Sequence, residues 1–118
     1  MNDSDLHPNA AHHALGALEG FWPGGVLVVT QNIDDLHARG GSKNLIHMHG
    51  ELAKTRCNDC GQLIDGLGDL TPDMTCPNCQ ATGTLRPHVV WFGEMPLQMD
   101  TILSALADCG LFMSIGTS

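Results

Sequence analysis

Two Cys-x-x-Cys pairs, Cys57/Cys60 and Cys76/Cys79, stand fifteen residues apart in a chain of 118 residues. Two thiolates three residues apart on a tight turn reach one ion, and a second such turn completes a tetrahedron of sulfurs, which suits Zn²⁺. Asn58, Asp59 and Gly61 around the first pair, and Pro77 and Asn78 inside the second, are turn formers. The other reading of the spacing is two redox or disulfide pairs, but in a reducing compartment such pairs are metal ligands more often than disulfides. Four sulfurs close the coordination shell and leave no position for water. The metal is therefore expected to be structural and to supply folding energy to a segment with few core residues. Lys54 and Arg56 either offset the negative charge of such a site or form a solvated strand face. Cys109 stands alone among apolar residues and is expected to be a plain buried thiol.

The length suits one domain or a piece of a larger one. Thirteen Asp and Glu against five Lys and Arg give a formal net charge of −8. No run of basic residues occurs, which argues against nucleic-acid binding through phosphate contacts. The apolar stretches are far too short to span a bilayer, so no membrane partner is expected. The opening Asn-Asp-Ser-Asp lacks the pattern of a signal peptide, and a cytoplasmic location is the default.

Outside the cysteine segment the pattern changes. Ala11, Leu15 and Leu18 recur at helical spacing, and residues 8–19 are predicted as a helix with Pro8 in its first turn and Gly20 as its stop. Residues 22–25, Trp-Pro-Gly-Gly, form a turn. The β-branched run at 26–30 is predicted as a strand buried on both faces, hence part of a parallel sheet. Residues 34–39 form a short helix and 44–47 a short extended segment. Met99, Ile102, Leu103 and Leu106 mark a second amphipathic helix, and 111–115 a second buried strand. Helix then buried strand, repeated, is the rhythm of an α/β layer with a parallel sheet. The cysteine segment, 52–84, interrupts it as an inserted zinc-binding module.

Ligands of open α/β sheets sit beyond the carboxyl ends of the strands. The loops there are Gln31, Asn32, Ile33 and Asp34, and Gly116, Thr117 and Ser118. Asn32 and Asp34 are equally suited to capping the following helix.

The ordered combination is more specific. Thr30-Gln-Asn-Ile-Asp34, Leu36-His37, His49-Gly50, the four cysteines, Val89-Val-Trp-Phe-Gly-Glu94 and Gly116-Thr-Ser118 together resemble the sirtuins, NAD-dependent protein deacylases. Ile46-His-Met-His-Gly-Glu51 and Arg86-Pro-His-Val-Val-Trp-Phe-Gly-Glu-Met-Pro96 look most like the bacterial members. The resemblance implies a partial Rossmann-like NAD-binding domain over 1–51 and 85–118. It implies that Gln31, Asn32, Ile33 and Asp34 surround the nicotinamide and its ribose, and that Gly116, Thr117 and Ser118 contact the ribose and phosphate portion. His49 matches the family's general base on a ribose hydroxyl, a task that suits an imidazole because its pKa lies near working pH. His47 would share a face with His49 if the stretch were extended, and only the His-Gly pair singles out His49. Val90, Trp91, Phe92, Gly93 and Glu94 match the segment that docks an acylated-lysine protein or peptide by strand addition. Trp91 stands where Phe is frequent. The plain alternative for 89–92 is a core strand.

The implied reaction moves the acyl group from lysine to the ADP-ribose part of NAD and releases nicotinamide. The family's Gly-rich pyrophosphate loop has no counterpart before Pro8, and the adenine contacts would follow Ser118. The isolated chain is therefore expected to bind NAD poorly and to turn over little or nothing. A non-catalytic zinc-ribbon adaptor and a remnant that only binds acylated peptides are the rival readings.

Overall fold

The computed structural model describes residues 6–65, 70–91 and 93–116. Helix α1 spans Ala10–Glu19. It begins two residues later than periodicity suggests, because Asn9 and not Pro8 sets the start. The Asn9 side chain accepts from the His12 N–H at 3.1 Å, and His12 Nδ1 accepts from the Asn9 N–H at 3.0 Å. This is a reciprocal capping box in which an imidazole replaces the usual Glu or Gln.

Strand β1, Val28–Thr30, pairs in parallel with β2, Leu45–His47, and helix α2, Leu36–Arg39, lies between them in sequence. The expected parallel pairing is present, but burial on both faces is not. Thr30 is buried while Val29 is exposed, because β1 belongs to a two-stranded sheet among the described residues. Helix α1 lies against the end of α2, and glycine makes the approach possible. A Cβ on Gly16 would stand 2.5 Å from the Gly40 carbonyl oxygen. Beside it the rings of His12 and His37 meet edge to face at 4.7 Å.

A second, antiparallel sheet has the order β4-β3-β5: Leu63–Asp65, Gly50–Cys57 and Leu85–Val89. An irregularity between Glu51 and Thr55 divides the β3–β5 register into two stretches. These strands join the cysteine segment to the rest of the chain. Helix α3 spans Met99–Asp108 and buries only Ile102.

Two expectations fail beyond α3. The buried strand at 111–115 does not form: the segment is irregular, and Leu111, Phe112, Met113 and Ile115 are exposed. A strand needs a ladder partner, and no named strand among the described residues pairs with this one. Cys109 is exposed rather than buried. It caps α3 in an extended conformation, with its Sγ 3.3 Å from the Leu106 carbonyl oxygen. The buried apolar core among the described residues is small: Ile46, Ile102, and two of the clustered cysteines, Cys57 and Cys76.

Candidate functional site

The four cysteines of the two pairs converge, with all sulfurs within 4.8 Å of one another. Each pair is shaped by the same turn. The Gly61 N–H donates to the Cys57 carbonyl and the Gln80 N–H to the Cys76 carbonyl, both at 2.9 Å. Gly61 and Gln80, each following the second cysteine of its pair, both have positive φ, 74° and 65°. Cys57 Sγ lies 3.7 Å from Cys79 Sγ, and Cys60 Sγ 3.7 Å from Cys76 Sγ. A tetrahedral zinc with Zn–S bonds of about 2.3 Å sets its sulfurs about 3.8 Å apart. The donor set also carries the hydrogen bonds that thiolates need. Thr84 Oγ1 lies 3.1 Å from Cys57 Sγ, and Asn78 donates from its backbone to Cys76 Sγ and from its side chain to Cys60 Sγ, both at 3.4 Å. The Thr84 hydroxyl, then the Cys60 N–H, pull the Cys57 thiol down to about 6. At Cys79 the Ala81 N–H is outweighed by burial and the neighbouring sulfurs, which push the thiol up to about 12, so the four crowded sulfurs do not all ionise without a cation among them. Cysteine type, number and spacing fit one structural zinc. Lys54 is committed elsewhere, with Nζ 3.4 Å from Glu51.

His49 sits on a two-residue turn between β2 and β3. Its Nδ1 is 3.0 Å from the Gln31 carbonyl oxygen. A carbonyl only accepts, so Nδ1 carries a proton, and in the neutral ring this places the lone pair on Nε2. Three backbone bonds set the turn in place: Met48 N–H to Thr30 O at 3.1 Å, Val90 N–H to His49 O at 2.8 Å, and Leu97 N–H to Met48 O at 2.8 Å. Gly50 makes the turn possible. Its φ is +89°, and a Cβ there would overlap the His88 carbonyl. The physical content of the His-Gly pair is this close approach of β3 to β5. His47 does not share the face of His49, because β2 ends at His47 and the chain turns. Its Nε2 is 3.5 Å from Glu51, and it lines a different cavity of about 390 Å³ with Ser42, Glu51 and His88.

The loop after β1 is held locally. The Asn32 N–H donates to Thr30 Oγ1 at 3.1 Å, and Asp34 Oδ1 accepts from the Leu36 N–H at 3.1 Å. Asp34 therefore does turn the chain into α2, as its capping preference suggests, although Asp35 is the cap position. The Ile33 carbonyl accepts from the Leu52 N–H at 2.9 Å, which ties the loop to β3. Gln31 and Asn32 are exposed.

A cavity of about 750 Å³ opens beside His49, walled by Val90, Trp91, Gly93, Glu94 and Pro96. Its size is in the range of small-molecule and cofactor sites. The structure thus brings four of the five expected docking residues to the imidazole; Phe92 lies outside the described residues. The segment is less extended than strand addition suggests, since Trp91 and Glu94 close a turn through the Glu94 N–H to Trp91 O bond at 3.0 Å. Gly116 is exposed with φ +63°, while Thr117 and Ser118 lie outside the described residues. Sequence reasoning missed Arg86, which holds this turn, and Pro96, which closes the wall.

The parallel β1–β2 pair, the loop at its carboxyl end, the adjoining imidazole and the four-sulfur knuckle define an α/β protein with an inserted cysteine module fit for a metal. Comparison with known proteins makes the class specific. The Sir2 family model matches residues 1–118, and the chain belongs to the Sir2 family. It is 57% identical over 118 residues to an NAD-dependent protein deacylase of Vibrio vulnificus (strain YJ016), covering all of this chain and 48% of the relative. It is 53% identical over 118 residues to one of Escherichia coli (strain K12), covering all of this chain and 42% of the relative. The chain thus spans about half the length of the curated relatives it matches. Among solved structures, a Sir2 homologue in complex with NAD superposes with a TM-score of 0.70 at 38% identity, over 89% of this chain and 40% of the other. A Sir2 complex with a p53 peptide and NAD+ gives 0.68 at 32% identity, over 89% of this chain and 44% of the other.

Proposed function

We propose that this chain is the central part of an NAD-dependent protein-lysine deacylase, with His49 as the general base. The observation that carries the reading is the bond between His49 Nδ1 and the Gln31 carbonyl beside the 750 Å³ cavity. It fixes one tautomer and leaves Nε2 free to take a proton inside a walled space. NAD supplies the ADP-ribose that accepts the acyl group. Gln31, Asn32, Ile33 and Asp34 hold the nicotinamide end, and Gly116, Thr117 and Ser118 serve the ribose and phosphate portion. The segment from Val90 to Glu94 receives the acylated lysine of a protein or peptide. The sulfur knuckle takes no part in the chemistry, since four thiolates close the zinc shell; it holds β3 and β5, and with them the two ends of the site, in register.

The division is a Rossmann-like part, 1–51 and 85–118, interrupted by the zinc module, 52–84. No helix among the described residues is long and apolar enough to cross a membrane, and we place the protein in the cytoplasm with neither membrane nor nucleic acid as partner. The test is nicotinamide release from NAD by the complete gene product in the presence of an acetyl-lysine or succinyl-lysine peptide. Peptide-dependent release that disappears in His49→Ala supports the reading; release that persists unchanged in His49→Ala overturns the role of His49.

A further inference from the structure

Arg86 makes more directed contacts than the other basic residues of the chain, and all of them converge on one turn. Its side chain is only 12% exposed. Nη1 and Nη2 grip Glu94 as a fork, at 3.2 and 3.0 Å, and Nη2 also donates to the Val89 carbonyl at 2.9 Å. Its guanidinium carbon stands 3.7 Å from the ring centroid of Trp91, a stacked cation–π contact. Glu94 completes the circuit by accepting from the Trp91 N–H at 2.8 Å.

This closed circuit stands inside the catalytic bracket. Val90 donates to the carbonyl of His49 and Leu97 to that of Met48, so the chain leaves the catalytic turn at one point and returns to it at the other. Between those anchors, Trp91, Gly93, Glu94 and Pro96 wall the cavity. Without the fork the turn keeps only its two internal bonds, Glu94 N–H to Trp91 O and Trp91 N–H to the Glu94 carboxylate, and loses its tie to β5. Trp91 is 58% exposed, an open indole whose orientation the guanidinium sets.

We propose that Arg86 is a positioning residue for substrate binding: through Glu94 and Trp91 it holds the wall of the acyl-peptide cavity against the His49 turn. This rests on the deacylase reading above. Arg86 acts through geometry and not as a bare charge, because lysine carries the charge without the planar fork or the stacking face. The arrangement also fixes the state of Glu94. The Arg86 hydrogen bonds, then the Trp91 N–H, hold its carboxyl down at about 2, so the circuit stays ionised across the working range of pH.

The experiment uses the complete gene product in a background in which Trp22 and every other tryptophan but Trp91 are replaced by Phe, so that Trp91 reports alone. Arg86→Met and Arg86→Lys are each compared with the parent. Both are expected to raise KM for the acyl-peptide roughly ten-fold with little change in the affinity for NAD, since an interaction shared by ground and transition states moves KM and not kcat. Both are also expected to shift Trp91 emission and to return the Glu94 carboxyl toward its ordinary range by NMR. If Arg86→Met does not fold, Arg86→Lys carries the test. An unchanged KM with unchanged Trp91 emission overturns the proposal, as does full recovery by lysine. Absence of turnover in the parent overturns the deacylase reading itself, and the positioning role with it.

Discussion

His49 and Gln31 are joined by a 3.0 Å bond from an imidazole Nδ1 to a backbone carbonyl, and this bond crosses from the turn between β2 and β3 to the loop at the end of β1. Because the acceptor is main chain, substitution of the Gln31 side chain does not remove it. The tautomer of His49 is set by the path of the chain itself.

A first prediction follows for His49. His49→Ala is expected to reduce turnover by about 10²–10⁴-fold, the usual worth of a positioned acid–base group. Zinc content and melting temperature are expected to stay close to those of the parent, since the half-exposed ring contributes little packing. Parallel assays of nicotinamide release, metal stoichiometry and thermal unfolding check this. A large loss of stability in the variant would reassign His49 to a structural role.

Gly50 offers a sharper test of the turn. At φ +89°, with the His88 carbonyl where a Cβ would stand, alanine is excluded twice, by backbone conformation and by overlap. Gly50→Ala is expected to cost about 3 kcal/mol or more, in the range reserved for strained backbone and core overpacking. Urea unfolding measures it. A cost below about 0.5 kcal/mol, the level of an ordinary surface change, would show that β3 and β5 do not approach as described.

Metal removal is expected to unfold the inserted module. Structural zinc contributes about 10–16 kcal/mol of apparent binding energy in small sites, comparable with the whole stability of a domain. Among the described residues Cys57 and Cys76 are themselves half of the buried apolar set, so the sulfurs make up much of what the segment buries. Excess chelator is expected to abolish the cooperative thermal transition of β3, β4 and β5. Cys57→Ser is expected to lose the ion, while Cys109→Ser, at an exposed thiol outside the cluster, retains it. Atomic absorption gives the stoichiometry directly, and retention of zinc by Cys57→Ser would exclude the four-sulfur assignment.

Much of this organisation was legible in the residues, and the reasons differ from place to place. The cysteine spacing sufficed because two tight turns and one ion are local constraints. Helices α1 and α3 were legible because their apolar residues repeat at helical spacing. The start of α1 is hidden in the sequence because His12 stands where a capping box usually shows Glu or Gln. The short run at 44–47 shows its extended character in sequence but not its pairing, and residues 45–47 are the parallel partner of β1. The run at 111–115 has the same strand composition, yet composition supplies no ladder partner, and the segment stays irregular. The Arg86–Glu94 fork was invisible because its residues lie eight apart across a strand end and a turn, with no period connecting them. The opposite fates of His47 and His49 depend on where β2 stops, and sequence does not place strand ends to within a residue.

The contact between α1 and α2 is expected to depend on pH. Burial, with His12 next, lowers the pKa of His37 below its ordinary 6.5, and Asp34 opposes this only in part. The unfolded chain then binds the proton more readily than the folded one. Stability is therefore complete above about pH 6.5 and falls as pH drops toward the lowered value. Urea midpoints from about pH 8 to about pH 5 are expected to decline, and His37→Gln is expected to flatten the slope. A midpoint that rises on acidification would contradict the sign.

Gln80 is where the knuckle departs from the better solution found at Gly61. The two positions are equivalent, each following the second cysteine of a pair and each donating back to the first. Gly61 adopts positive φ at no steric cost, whereas Gln80 carries a Cβ into the left-handed region, which costs about 1–2 kcal/mol for an ordinary residue. Gln80 is exposed, so its side chain loses little packing when removed. Glycine has its own entropic cost in the unfolded chain, about 0.5–1 kcal/mol, and the strain relieved exceeds it only modestly. Gln80→Gly is therefore expected to raise stability by about 0.5–1 kcal/mol and to slow zinc release to a competing chelator. A destabilised variant would mean that the Gln80 side chain makes a contribution beyond its backbone, and the symmetry between the two turns would not extend to their energetics.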